Sequence, residues 1–347
     1  MGLLLAGIDE AGYGPMLGPL CVGCAAFRVD RWEPGEPAPD LWDLLEAAIC
    51  REPDARAKRP PRIAVADSKK LKLANSLTTK HPLVHLERGV LAFLRTISGS
   101  VDENAGAPPV ALDDAALFER LGARLEDRPW YAVPPVSLPL GQTTGELVIC
   151  GSRLAAAMDQ AGVEAVALRC EAVPERLFNE TVRRTRSKAD ATLIGIGAHL
   201  ACVLSAEVRS GDEVRVVCDR LGGRTMYEGV LAKLVPGAGV RVLEESDARS
   251  RYEIVPAGAA PARGGSPGRV IVQFMSEAES AHMPVALASM AAKYVRELAM
   301  KRFNRYWCAR MPELKPTAGY VQDARRWLRD AASIVTPSDR AAMVRLA

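Results

Sequence analysis

The sequence predicts an α/β protein built on a central sheet, and three observations carry that expectation. Short apolar runs alternate along the chain with longer runs of helical spacing. The first strand-like run, LLLAGI at 3–8, leads into two adjacent acids and a glycine-rich turn. A later run, EVRVVCD at 213–219, also ends in an acid. Strands alternating with helices indicate an α/β sheet, and acids at element ends stand where side chains can converge.

In chain order, residues 3–29 read as two strands around the glycine turn (Gly12, Gly14, Gly18). Residues 30–62 are proline-rich, with one short helical stretch in PDLWDLLEAAI. ADSKKLK at 66–72 follows the apolar run IAV, and VHLERGVLAFLRTI at 84–97 has helical periodicity. Residues 98–147 mix Gly, Pro and acids around another short helix and show no clean period. The pattern then becomes regular: a helix at 151–162 closed by glycine, a long strand at 163–173 and a small-residue helix at 186–206. After the strand 213–219 come a helix at 226–235 and a polar, hairpin-like stretch at 237–274 that ends in the strand RVIVQF. A long helix at 283–308 and a shorter one at 324–334 complete the chain. Residues 1–347 read as one domain, with 30–62 and 98–147 as insertions and 283–347 as a helical C-terminal part.

A length of 347 residues suffices for a sizeable core, and 48% hydrophobic with 25% charged residues is a globular composition. A net charge of +3 does not by itself argue for a nucleic-acid partner, so the distribution of charge must decide. No apolar run is long enough to span a bilayer, and the opening residues read as a strand, not a signal peptide. The eight scattered cysteines read as buried thiols, and a cytoplasmic location is expected. The four histidines make no zinc spacing with them, and no G-x-S-x-G marks a serine nucleophile.

The chemistry-bearing residues are carboxylates. Asp9 and Glu10 are adjacent on one strand, so at least one must point where a core residue would stand. Like charges that close repel unless a proton or cation separates them. Asp219 ends a second strand, and Glu277 and Glu279 lie between RVIVQF and the long helix. Carboxylates converging from separate strand ends suit a hard cation such as Mg²⁺. Two such ions about 3.5–4 Å apart would stabilise both the attacking and leaving oxygens of a phosphodiester.

These residues resemble a known family. GIDEAGYGPMLGPL is similar to the opening motif of the type 2 ribonucleases H, the bacterial HII and HIII enzymes, and ADSKKLK to their second motif. VVCD resembles the strand that carries the third acid, and AESAHMPVALASMAAKY the fourth motif. The resemblance implies a ribonuclease H-like fold, a central mixed sheet flanked by helices. It implies hydrolysis of the RNA strand of RNA/DNA hybrids with Mg²⁺ or Mn²⁺. It carries the metal-binding, catalytic roles to Asp9, Glu10, Asp219 and Glu279, the glutamate at 279 being closer to the HIII form. Tyr13 stands where the HII motif has an arginine that reads the ribose at an RNA–DNA junction, so cleavage at single ribonucleotides is not implied. The HIII form usually has a substrate-binding domain before its first acid, and here that acid is residue 9, so grip is expected from elsewhere.

Candidate substrate contacts are Gly12, Tyr13 and Gly14 in the turn, Lys69 and Lys70 in ADSKKLK, and Arg184, Arg186 and Lys188 in RRTRSK just before a helix. Tyr320 is similar to a sugar-stacking tyrosine of the family. Between 290 and 330, Lys and Arg interleave with aromatic residues, which suits either backbone tracking or a core-covering helix with a basic outer face. His282 reads as a packed or hydrogen-bonding residue. Two other readings stay open: a non-catalytic nucleic-acid-binding protein on the same fold, and a nuclease of other specificity, such as one for branched DNA.

Overall fold

The computed structural model describes residues 2–33, 35–53, 61–97, 113–206, 212–256 and 268–346. Parts of the two expected insertions, 54–60 and 98–112, and residues 257–267 of the hairpin stretch lie outside the described residues.

The chain begins with a hairpin of strands β1 (Leu3–Ala11) and β2 (Leu20–Val29). Short elements follow: α1 (Leu41–Leu44), β3 (Ile49–Cys50), β4 (Ile63–Ala64) and α2 (Ser68–Leu71). Next come α3 (Val84–Leu94), α4 (Asp114–Leu121), α5 (Thr144–Ala161), β5 (Val163–Val173), α6 (Glu175–Thr185) and α7 (Ala189–Ala206). The second half holds β6 (Glu213–Asp219), α8 (Glu228–Leu234), β7 (Ala238–Glu245), β8 (Arg249–Pro256) and β9 (Arg269–Met275). The helices α9 (Ala278–Ala281), α10 (Met283–Arg310), α11 (Val321–Asp330) and α12 (Pro337–Met343) end the chain.

Seven strands form one mixed sheet in the order β5-β2-β1-β6-β9-β8-β7. Three central strands, β1, β6 and β9, run parallel, and antiparallel neighbours flank them on both sides. The fold is therefore the helix-flanked mixed sheet expected, with a helical C-terminal region. The stretch 237–274 provides the β7–β8 hairpin and β9. Helix α5 begins seven residues earlier than the periodicity indicates, at a capping box of Thr143 and Glu146. Among the described residues, no helix is long and apolar enough to cross a membrane.

Strand alternation divides the core into two layers. Leu3 and Leu5 point to the face covered by α10, α3 and α5, whereas Leu4, Ala6 and Ile8 point to the face covered by α7 and α8. Described residues from both expected insertions belong to the first layer, including Trp32, Trp42, Phe118, Leu121, Val136 and Leu138. A third cluster gathers Trp130, Phe303, Trp307 and Trp327 around the end of α10.

Helix α10 lies against β1 and β2 with almost no gap. A methyl group added at Gly7 would overlap the backbone of Pro284 and Val285, and one at Gly23 would overlap Ala288. Glycine is required there for close approach of helix to sheet, not for a turn. The helix is buried on nearly every side, with Tyr294 and Trp307 inside the core. This decides between the two readings of the basic–aromatic stretch. Trp327 is also buried, and Arg296 and Arg302 are interior, Arg302 being paired with Asp114. Tyr294, Trp307 and Trp327 are core, so most of the stretch is a core-covering helix, and of its aromatics only Tyr306 and Tyr320 reach solvent. A helix enclosed all round shows no apolar stripe in its sequence, which hides its burial.

Candidate active site

The carboxyl ends of the parallel strands β1, β6 and β9 lie side by side, and they carry the four acids. Ile8 is opposite Cys218, so Asp9 and Asp219 are the next residues of adjacent strands. Asp219 is opposite Met275, and the chain from there enters α9 with Glu279 in its first turn. Parity then sets direction. Asp9 follows Leu3, Leu5 and Gly7 on the face of α10, while Glu10 follows Leu4, Ala6 and Ile8 on the face of α7. Val217, two residues before Asp219, packs against Ala278 and Val285, so Asp219 also faces α9 and α10.

These acids are held in an environment that disfavours their charge. Asp9 is 9% exposed. Burial lifts its carboxyl well above the usual range, and the neighbouring Glu10 and Asp219 lift it further. Burial and Asp219 push the Glu10 carboxyl up to about 7, against the pull of Lys69. The Asp219 and Glu279 carboxyls are raised for the same first reason. Glu279 and Glu10 feel each other, and one buried oxygen of Glu279, Oε2, has no hydrogen-bond partner. Glu277 sits in the left-handed region at φ 53° and adds to the negative field at Asp219. Glu279 also acts on Glu10.

Each acid is also braced. Asp9 Oδ1 accepts the Glu10 amide at 2.7 Å, and the Ser289 side chain of α10 hydrogen-bonds the same carboxyl. Ser289 in turn bonds the hydroxyl of Ser68 at 3.0 Å. Asp219 Oδ1 accepts the amide of Ala278 at 3.2 Å, which ties the end of β6 to α9. Asp67 caps α2 by accepting the Lys69 amide at 2.9 Å and raises the Glu279 carboxyl. Lys69 is electrostatically linked to the cluster: Asp67, Asp9, Glu279 and Glu10 all favour its charge. Asp67, Ser68 and Ser289 were not among the sequence candidates. The acid in ADSKKLK was the available signal for Asp67, whereas nothing local marks two neutral serines.

A divalent cation fits this set. The donors are hard oxygens, they repel one another without a counter-charge, and a buried carboxylate oxygen lacks a partner. As placed, no three His, Cys, Asp or Glu side chains among the described residues gather at ion-clasping distance. The acids are coupled electrostatically without being drawn together.

The glycine turn is built from below by two buried arginines. Arg296 of α10 donates to the carbonyls of Pro19 at 2.6 Å and Leu17 at 2.8 Å. Arg345, 2% exposed, donates to the carbonyls of Gly12, Tyr13 and Pro15 and lies over the Phe178 ring at 4.3 Å. Gly12 is at φ 95°, and a side chain there would meet Arg296. Tyr13 is half-buried beside Glu10, which together with burial raises its hydroxyl, while Arg224 opposes the shift. Gly14 is exposed with open space around it.

The remaining candidates border this turn or lie apart from it. The Gly319 carbonyl accepts the amides of Met16 at 2.8 Å and Leu17 at 3.2 Å, so Tyr320 emerges beside the turn. Tyr320 is 50% exposed, with Lys293 5.8 Å from its ring centre. Arg224 pairs with Asp190 in the first turn of α7 at 2.9 Å, which brings the start of that helix to the Tyr13 side. Arg184 lies in the last turn of α6, Arg186 is its left-handed cap at φ 58°, and Lys188 precedes α7. Arg184 and Arg186 are exposed, as is Lys70 on α2. His282 is the residue before α10, and burial lowers its imidazole.

No family model matches the chain, and no curated protein matches it. Among solved structures, it is similar to a chain of the PCNA:ribonuclease HII complex from Archaeoglobus fulgidus, at 13% identity and TM-score 0.38, covering 99% of this chain and 94% of that one. It is also similar to ribonuclease H2 from Pyrococcus horikoshii OT3, at 15% identity and TM-score 0.40, with 98% and 93% covered. The chain distantly resembles type 2 ribonucleases H. A third such structure is Bst ribonuclease HIII in complex with Mn²⁺, at 14% identity and TM-score 0.37, where the chain covers 66% of that protein's length and 99% of its own.

Proposed function

We propose that this protein is a metal-dependent endonuclease that hydrolyses the RNA strand of an RNA/DNA hybrid. The observation that supports it most is the set of four mutually repelling carboxylates at the carboxyl ends of three adjacent parallel strands. Such a set is costly in a folded protein unless a cation offsets it. Asp9 and Asp219 would hold Mg²⁺ or Mn²⁺ between β1 and β6, with Glu10 and Glu279 completing the oxygen shell. When bound, the ions acidify the attacking water and screen charge on the leaving 3′-oxygen. Ser289 keeps Asp9 oriented, and the Ala278 amide keeps Asp219 oriented. Lys69, poised beside the acids, would meet the non-bridging oxygens of the scissile phosphate. The backbone of the 12–15 turn, fixed by Arg345, would face the sugar-phosphate strand, with Tyr13 and Tyr320 beside it. Arg184, Arg186 and Lys188 would add outer phosphate contacts. The eight free thiols suit a reducing cytoplasm.

The test is hydrolysis of an end-labelled RNA/DNA hybrid in Mg²⁺ or Mn²⁺, with products carrying 3′-hydroxyl and 5′-phosphate ends. A second reading, a non-catalytic nucleic-acid binder, is favoured by the absence of a clasping triplet among the described residues. A Mn²⁺ titration separates the two. The nuclease binds Mn²⁺ in a manner lost in Asp9→Asn and Asp219→Asn, whereas the binder takes up hybrid with no such ion.

A further inference from the structure

A cleft of about 500 Å³ opens away from the acids, between α10, residues 75–83 and the loop 316–323. Its polar lining includes Asn75, His81, Glu297, Lys301, Asn304 and Asp323. Both acids are already answered. Glu297 pairs with Lys293 at 2.8 Å. Asp323 accepts from the Thr317 hydroxyl at 2.6 Å, the Ala318 amide at 2.8 Å and the Arg326 guanidinium.

The basic groups are not answered. Lys301 is exposed and makes no ion pair among the described residues. His81 Nδ1 accepts the Leu83 amide at 3.2 Å, which leaves the proton on Nε2 as a free donor in the neutral ring. Lys72 reaches only the neutral Asn75 oxygen, at 2.9 Å. Lys301 and Lys72 both press on His81, and with burial they lower its imidazole. The Lys301 ammonium and the His81 N–H thus line the cleft, with Lys72 bonded to Asn75 on its wall, while both lining carboxylates are held by other cations. An oxyanion supplies what they lack.

Helix α10 connects this site to the acids. Ser289, Lys293, Glu297 and Lys301 recur every four residues and wind around the helix from the buried Ser289 to the exposed Lys301. Ser289 bonds Asp9, and Lys293 lies near the exposed Tyr320. Twelve residues of helix span about 18 Å. That equals roughly five base pairs of duplex axis. We propose that the cleft holds a backbone phosphate of the bound nucleic acid roughly five base pairs from the reacting bond. The proposal rests on the nuclease reading for the position of that bond, and its test is arranged to stand without it.

The probes are fluorescent RNA/DNA hybrids of about 16 and about 4 base pairs, the shorter closed as a hairpin, long enough and too short to reach from the acids to the cleft. Binding is read by anisotropy in an Asp9→Asn background, so that no hydrolysis intervenes. Lys301→Glu weakens the longer hybrid by about fivefold or more and lowers its salt slope by about one, and it leaves the shorter within about twofold. Lys301→Arg retains tight binding. Lys233→Glu, the same charge change on α8 across the sheet, leaves both hybrids within about twofold. Equal effects of Lys301→Glu on both lengths, no effect on either, or an equal loss in Lys233→Glu overturns the proposal. If the wild-type protein fails to cut hybrid while the length-dependent loss persists, the cleft assignment stands and the nuclease reading falls.

Discussion

At the scale of single residues, the chemistry concentrates in Asp9. Its carboxyl is the most buried of the four acids and is opposed by two others. Asp9→Asn removes that repulsion while keeping the shape. The variant is expected to lose hybrid hydrolysis by about three orders of magnitude, the scale of losing a transition-state electrostatic partner. It should also melt at a higher temperature than wild type without metal, a rise readable by calorimetry. Glu10 sets a pH dependence. Its folded carboxyl keeps its proton up to about 7, far above its ordinary value of 4.5. Between those values the folded state binds more protons than the unfolded one, so metal-free stability falls as pH rises through that window. A divalent ion must displace the same proton. The rise in melting temperature given by a fixed Mn²⁺ concentration is therefore expected to be larger at about pH 7.5 than at about pH 5.5. Equal rises would contradict it. The neutral buried His199, whose imidazole is lowered to about 4, enters both the metal-free and metal-bound melts and cancels from this difference. Asp9, Glu10, Asp219 and Glu279 were legible in the sequence because acids at the ends of apolar runs are conspicuous. Ser289, which bonds Asp9 from 280 residues away, was not, because a neutral serine in an alanine-rich helix carries no local signal. Ser289→Ala is expected to weaken Mn²⁺ binding by about 10–100-fold, measured by titration calorimetry, with little change in the melt.

At the scale of elements, the site depends on how closely α10 approaches the β1–β2 hairpin. Gly7 and Gly23 set that distance, and Ser289 meets Asp9 only because of it. Gly7→Ala or Gly23→Ala forces the helix outward. Each is expected to destabilise the protein by about 3 kcal/mol or more in urea melts, at the upper end for overpacked interiors. Hybrid hydrolysis should fall in the molecules that remain folded, because Asp9 loses its brace. The strands and most helices were readable from period and punctuation, as with β5, β6 and α3. The side on which α10 packs was not readable. Its aromatic and basic residues resembled a binding track, and tertiary enclosure placed Tyr294, Trp307 and Arg296 inside instead.

At the scale of the whole molecule, the segment after α12 meets the glycine turn that follows β1. The segment after α12 returns to pair Leu17 with Val344, and Arg345 then passes beneath the turn. A turn of this composition is flexible on its own, and here three carbonyls bonded by one buried guanidinium fix its course. Nothing near Arg345 in sequence announces this role, since it depends on a contact spanning more than 300 residues. Arg345→Ala is expected to cost about 2–4 kcal/mol from lost charged hydrogen bonds and to raise the KM for hybrid more than it lowers kcat. The same mixed sheet sets three parallel strand ends side by side, and so places on neighbouring elements acids separated by as much as 270 residues of chain. Whether that arrangement makes a nuclease is decided most directly by a parallel time course on an internally labelled RNA/DNA hybrid in Mn²⁺, using wild-type protein and Asp9→Asn. The four-carboxylate site requires that the wild type cut only the RNA strand, at internal positions, and that Asp9→Asn leave it intact. An uncut hybrid with the wild type, or equal cutting by the variant, would contradict it.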